Sequence, residues 1–164
     1  MNFFPGTLEE GSLKTPFGAI AMTPQLRQTL TRANAGREVI VGFRPENFED
    51  AALVGPQERE HGITFRTTVD VVESMGSDVY VYFAQGRDNT LNVDQLAELA
   101  QDSGQADTGG SGDTVTARLD SATQVREGQE AELWVDTRAM HVFDPQTGKN
   151  YTKETQEDAV APTT

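Results

Sequence analysis

Apolar residues along this chain come in short bursts, with no long helical stripe. In "MNFFPGTLEEGSLKTPFGAIAM" they are cut by Pro5-Gly6, Glu10-Gly11 and Pro16-Phe17-Gly18, a spacing that predicts a meander of short antiparallel strands. "TPQLRQTLTRANAG" then predicts one short helix. Thr23 is placed to cap it, Pro24 suits the first helical position, Leu26 and Leu30 share a face, and Gly36 is placed to close it. "REVIVGFRP" is a β-branched run that ends at Pro45, because proline cannot donate to a strand ladder.

The acidic stretch "ENFEDAALVGPQEREHG" reads as a loop. After it, Ile63, Phe65, Thr67, Val69 and Val71 share one period-2 face, and Val79, Val81 and Phe83 share another. The connection from Ser74 to Asp78 contains Gly76, which predicts a hairpin. Asp94 to Ala100 is long enough for about two helical turns, and 101–114 is an acidic Gly/Ser-rich stretch with little to bury, predicted to be a flexible loop. "TVTARLD" and "AELWVDT" are the last long strand candidates, with a turn at Glu127-Gly128 between them. "RAMHVFDPQTGKNY" adds a short apolar triplet and turn signals at Asp144-Pro145 and Gly148. The polar segment 152–164 is expected to be a disordered tail outside a domain of residues 1–151. The pattern predicts a mainly β fold: a small barrel of short antiparallel strands, one or two short helices and long loops.

Composition narrows the function. The 164 residues carry 13 basic and 26 acidic side chains, net -13, which repels phosphate backbones and argues against nucleic acid as a partner. With no cysteine, disulfides, thiolate metal sites and cysteine nucleophiles are excluded. Mean hydropathy is -0.52. No apolar run approaches the ~20 residues that span a bilayer, and "MNFFPGTLEEG" lacks the basic start and apolar core of a signal peptide.

Catalytic signatures are missing from the sequence. Neither Gly-Lys-Ser nor Gly-Lys-Thr occurs after a strand, so this stretch carries no nucleotide-hydrolysing loop of that type. Gly109-Gly110-Ser111-Gly112 stands among acids with no basic residue to hold phosphate and reads as a linker. His61 and His141 lack metal-type partners at turn or helical spacing, and His141 in "MHVF" reads as a half-buried strand residue. The many acidic pairs read as a solvated face, and no catalytic or metal residue is assigned. Asn150-Tyr151-Thr152 fits a glycosylation sequon. Tyr80 and Tyr82 share a strand face without neighbouring Lys or Arg in sequence, which suits packing on a neighbour better than base stacking.

Four stretches in register, "MNFFPG", "VIVGFRPE", "VDVVESMGSDVYVYF" and "RAMHVFDPQTGKNY", resemble the C-terminal regulatory domain of ABC-transporter ATP-binding subunits of the maltose type and other carbohydrate importers, the TOBE or OB-like domain. The likeness runs over Met1 to Tyr151. Gly42, Arg44, Pro45 and Glu46 match the family's Gly-aliphatic-Arg-Pro-Glu motif, with Phe43 in the aliphatic place. Gly76 and Ser77 match its Leu-Gly-Ser/Asn turn, and Phe143 and Asp144 its Leu-Phe-Asp close. The segments from Thr23 to Gly36 and from Asp88 to Thr114 look longer than the family's connections.

The resemblance implies a non-catalytic domain of oligonucleotide-binding-like topology that follows an ATPase domain in one polypeptide. Paired copies hold the ATPase dimer together during import of a sugar or similar solute. ATP and Mg are implied for the upstream domain only. Implied partners are a second copy, the membrane permease subunits and a regulatory protein, at the cytoplasmic face of the membrane. Arg44 and Glu46 are expected at the barrel rim, paired with neighbouring loops or with the twin domain. The alternative is a stand-alone sensor of oxyanions such as molybdate, which related TOBE barrels bind.

Overall fold

The computed structural model describes residues 1–84 and 114–153. The predicted meander is present as β1 (Asn2–Glu9), β2 (Ser12–Thr15) and β3 (Gly18–Ala21). Pro5-Gly6 does not turn the chain. It lies inside β1, where Pro5 pairs with Ile40 of β4 (Glu38–Phe43). Pairing of β1 with β2 begins only at Thr7, so at Pro5 the strand has one neighbour, the edge-like setting in which proline is tolerated.

The helix α1 (Pro24–Arg32) starts as predicted, with the Leu26 N–H donating to Thr23 Oγ1 at 3.1 Å and with Leu26 and Leu30 buried. Its end differs from the prediction. Asn34 takes the left-handed conformation, φ 52°, while the Ala35 N–H donates to the Leu30 carbonyl, so the helix closes before Gly36 is reached. The acidic stretch read as a loop hides β5 (Phe48–Asp50) and the one-turn helix α2 (Pro56–Arg59), both too short to show a period.

The remaining strands are β6 (Gly62–Thr68), β7 (Val71–Ser74), β8 (Asp78–Ala84), β9 (Thr114–Asp120), β10 (Glu130–Asp136) and β11 (His141–Phe143). They form three antiparallel sheets, ordered β11-β4-β1-β2-β3, β5-β10-β6 and β7-β8-β9. The single face predicted from Ile63 to Val71 breaks at Asp70. Val69 is fully buried and Val71 is 40% exposed, because the chain leaves one sheet for the next: the Val69 N–H donates to the Gln129 carbonyl and the Asp70 N–H to the Tyr82 carbonyl. The β7–β8 hairpin itself forms as predicted.

One core joins the sheets. Phe4 and Phe43 from the first, Phe48 and Phe65 from the second and Phe83 from the third meet around Phe17, with successive ring centroids 4.5–6.3 Å apart. Side chains sew the seams. Asn2 donates through Nδ2 to the Thr116 carbonyl (2.8 Å) and accepts from the Thr116 N–H through Oδ1 (3.0 Å), which ties β1 to β9. Glu49 Oε1 accepts from the Asp120 N–H at 3.1 Å, and the Thr123 hydroxyl donates to Asp50 Oδ2 at 2.6 Å. The result is mainly β and OB-like, as predicted.

Thr114, assigned from sequence to the flexible loop, is the first residue of β9 and pairs with Ala84. Thr152, assigned to the tail, is only 8% exposed. The helix expected at 94–100, the loop at 101–113, the glycine cluster at 109–112 and the tail from 154 onward lie outside the described residues.

Candidate functional site

The two sequence motifs that lie far apart in the chain, at 42–46 and 143–144, meet on one face of the five-stranded sheet. Strand pairing sets His141 opposite Gly42 and Phe143 opposite Ile40, with Phe3 on the other side of Gly42. A small second core follows from this register: Phe3 and Ile40, with Met1 and Phe143 packed against them. Phe3 and Phe143 meet edge to face at 5.6 Å. Gly42 makes the arrangement possible by close approach, since a Cβ there would stand 2.7 Å from Met1 Sδ and 2.9 Å from Phe143 Cε2.

Past β4 the backbone is fixed on both sides of Arg44. Its N–H donates to Asn47 Oδ1 (2.8 Å), and its carbonyl accepts from the Asn47 N–H (2.9 Å) across a 3-10 turn that opens with Pro45. The Arg44 and Glu46 side chains are exposed, and neither forms an ion pair with a described residue. The expectation that they pair with neighbouring loops is therefore not met among the described residues. Arg44 instead acts on two groups beside it. Burial, and then the Arg44 charge, hold the Met1 amine below its ordinary range, with Glu46 opposing. Burial and then Arg44 likewise push His141 below the usual histidine pKa.

Asp144 closes the other motif. Oδ1 accepts from the Gln146 N–H (2.7 Å) and the Thr147 N–H (3.3 Å), and Oδ2 accepts from the Tyr151 hydroxyl (3.1 Å). Burial alone raises its pKa, but these donors outweigh it and hold the carboxyl below the ordinary value. Beside it Asn150, read from sequence as part of a sequon, is a structural hub. Oδ1 accepts from the Thr152 N–H (3.0 Å), the Thr152 hydroxyl (2.6 Å) and the Lys153 N–H (3.2 Å), and Nδ2 lies 3.2 Å from His141 Nδ1. Because Nδ2 can only donate, the bond requires an unprotonated His141 Nδ1. His141 is half-buried in β11, as its setting in "MHVF" predicted.

Gly76 and Ser77 are not brought to this cluster. They form the tip of the β7–β8 hairpin, where φ of +84° at Gly76 favours glycine and an added Cβ would meet nothing within 4 Å. Tyr80 and Tyr82 lie on the outer face of the same sheet. The absence of a basic neighbour in sequence does not hold in space, since Arg118 of β9 stands opposite Tyr80 and pairs with Asp78 at 4.0 Å. A pocket of about 170 Å³ is lined by Ile20, Leu26, Arg138, Met140 and Thr152, with Arg138 paired to Asp136 and Glu58. Among the described residues no group of His, Asp and Glu could hold a metal ion, and no helix is long and apolar enough to cross a membrane.

Comparison with known proteins gives the geometry a context. Residues 1–48 match the MalK OB fold domain. The chain is 35% identical over 154 residues to the trehalose import ATP-binding protein SugC of Mycobacterium tuberculosis, covering 93% of this chain and 38% of SugC. It is 27% identical over 150 residues to the oligosaccharides import ATP-binding protein MsmX of Bacillus subtilis, covering 90% and 33%. It is 32% identical over 115 residues to the trehalose/maltose import ATP-binding protein MalK of Thermococcus litoralis, covering 70% and 24%. The chain thus spans well under half the length of each of these relatives. Among solved structures, the cytoplasmic molybdate-binding protein ModG superposes with a TM-score of 0.50 over 86% of this chain and 94% of ModG, at 17% identity, a likeness of fold alone.

Proposed function

Because this chain is homologous to the ATP-binding subunits of sugar ABC importers and opens with the MalK OB fold domain, we propose that it is the regulatory and dimerisation domain of such a subunit. The parent protein hydrolyses ATP with Mg in an upstream domain. This domain contributes no catalytic residue and needs no cofactor of its own. The imported solute is a sugar or similar polar solute; the relatives' names run from trehalose and oligosaccharides to sn-glycerol-3-phosphate. The observation that carries the reading is the match to SugC along 93% of the chain.

The mechanism is mechanical. Two copies touch and stay together while the ATPase domains open and close, so that closure reaches the permease subunits at the cytoplasmic face of the membrane instead of ending in dissociation. Arg44, Pro45 and Glu46 suit an interface, because Asn47 fixes the Arg44 backbone and the Arg44 and Glu46 side chains are exposed, while buried Gly42, half-buried Phe143 and Asp144, whose carboxylate is held by its own turn, support that surface. Binding through it also leaves room for a regulatory protein on other faces.

Sedimentation of the full-length subunit without ATP tests this. An Arg44→Ala variant with unchanged thermal stability is expected to weaken the dimer, and a dimer of parental affinity in that variant excludes this face as the contact. Calorimetry with molybdate and tungstate examines the sensor alternative, to which the fold likeness to ModG contributes no binding residue. Absence of binding heat is the expected result.

A further inference from the structure

From Gly11 to Arg37 the chain contains Lys14, Arg27, Arg32 and Arg37 and no acidic residue, so all 26 carboxylates of this strongly acidic chain lie elsewhere. Arg27 and Arg32 of this segment stand on α1, with the Arg27 guanidinium beside Gly11 of the β1–β2 turn, and exposed Glu9, Glu10 and Glu38 border the segment at its two ends. Arg27, Gln28, Thr31 and Arg32 are exposed along its outer side, while Leu26 and Leu30 anchor the other side in the core. Arg37 follows on the exposed approach to β4. None of these arginines forms an ion pair with a described residue, in contrast to Arg66, Arg118 and Arg138.

The opposite pattern occurs at the β7 edge. Among the described residues β7 is the outer strand of its sheet, and Asp70, Glu73 and Glu127 are exposed around it without ion pairs. Glu127 Oε1 accepts from the Val72 N–H at 3.0 Å, and Glu73 Oε2 accepts from the Tyr82 hydroxyl at 3.2 Å, so two of the three carboxylates are held in place. Val71 and Met75, 40% and 64% exposed, supply apolar surface beside them.

We propose that the arginine face of α1 docks on the acidic β7 edge of a second copy of this chain. A twofold axis makes the contact twice, helix to edge and edge to helix, as a closed dimer requires. The charges are complementary, and the Glu73 and Glu127 carboxylates are held in place by hydrogen bonds. They set register and association rate, while Val71 and Met75 provide the area removed from water. This inference rests on the dimerisation reading above and adds a second pair of surfaces to it.

Charge reversal in the full-length subunit without ATP decides it, read as the dimer dissociation constant from sedimentation at about 50 mM and about 500 mM salt, where screening differs several-fold. R27E/R32E and D70K/E73K are each expected to weaken the dimer at least about tenfold at low salt, and their combination to restore it to within about threefold. R27Q/R32Q keeps the helix formers and is expected to give a smaller loss, which separates docking from misfolding. Single reversals that weaken the dimer without rescue by the combination overturn the pairing of these two surfaces. A dimer insensitive to every variant overturns the role of α1 while leaving dimerisation intact. A subunit that is monomeric throughout overturns the dimerisation reading itself.

Discussion

Gly42 and His141 stand side by side across the β4–β11 ladder, and each sets a separate sensitivity. A side chain at Gly42 has to displace Met1 or Phe143, so Gly42→Val is expected to cost about 1–3 kcal/mol of unfolding free energy, measured by urea titration. His141 governs a pH response. Burial and the Arg44 charge lower its pKa in the folded state, so the unfolded chain binds the proton first as pH falls. Its contribution is complete above the ordinary histidine value of about 6.5 and is lost as pH drops through the folded value. Stability should therefore fall as pH drops below about 6.5. In His141→Gln that part of the slope is expected to flatten, and an unchanged slope would assign the response to another group. Protonation also removes the acceptor that Asn150 Nδ2 needs, so the loss is local to the turn that holds Asp144 and Tyr151.

At the scale of elements, α1 offers the cleanest test. Thr23→Ala removes the acceptor for the Leu26 N–H and is expected to destabilise the fold by about 1 kcal/mol. A shift in melting temperature with unchanged strand signal in circular dichroism would identify it. The start of this helix was legible because capping chemistry is local: Thr, Pro and a leucine pair suffice. Its end was not, because Asn34 and Gly36 can both adopt the left-handed conformation and only tertiary contacts choose between them. The same distinction runs through the strands. Long alternating runs such as β8 and β9 announce themselves, whereas β5, three residues long, exists only because β10 pairs with it. Pro5-Gly6 misled for a related reason, since turn chemistry was written there but pairing with β4 overrode it. The candidate site was half legible. Its motif residues could be picked out, but their meeting depends on long-range register, and the roles of Asn2 and Asn150 depend on partners that sequence does not bring near.

For the whole molecule, the column of phenylalanines means that the three sheets share one interior. Six rings, Phe4, Phe17, Phe43, Phe48, Phe65 and Phe83, link all of them, so no sheet can lose its packing alone. The Asn2 clamp has a further consequence when the chain is considered as a loaded object. A tug at Met1 along β1 reaches the six register pairs from Asn2–Phe43 to Thr7–Glu38 simultaneously, because antiparallel hydrogen bonds lie across the strand and resist in shear. The same pull passes through Asn2 into β9. A load entering through β1 is therefore shared with β4 and β9 from the first residues of the strand.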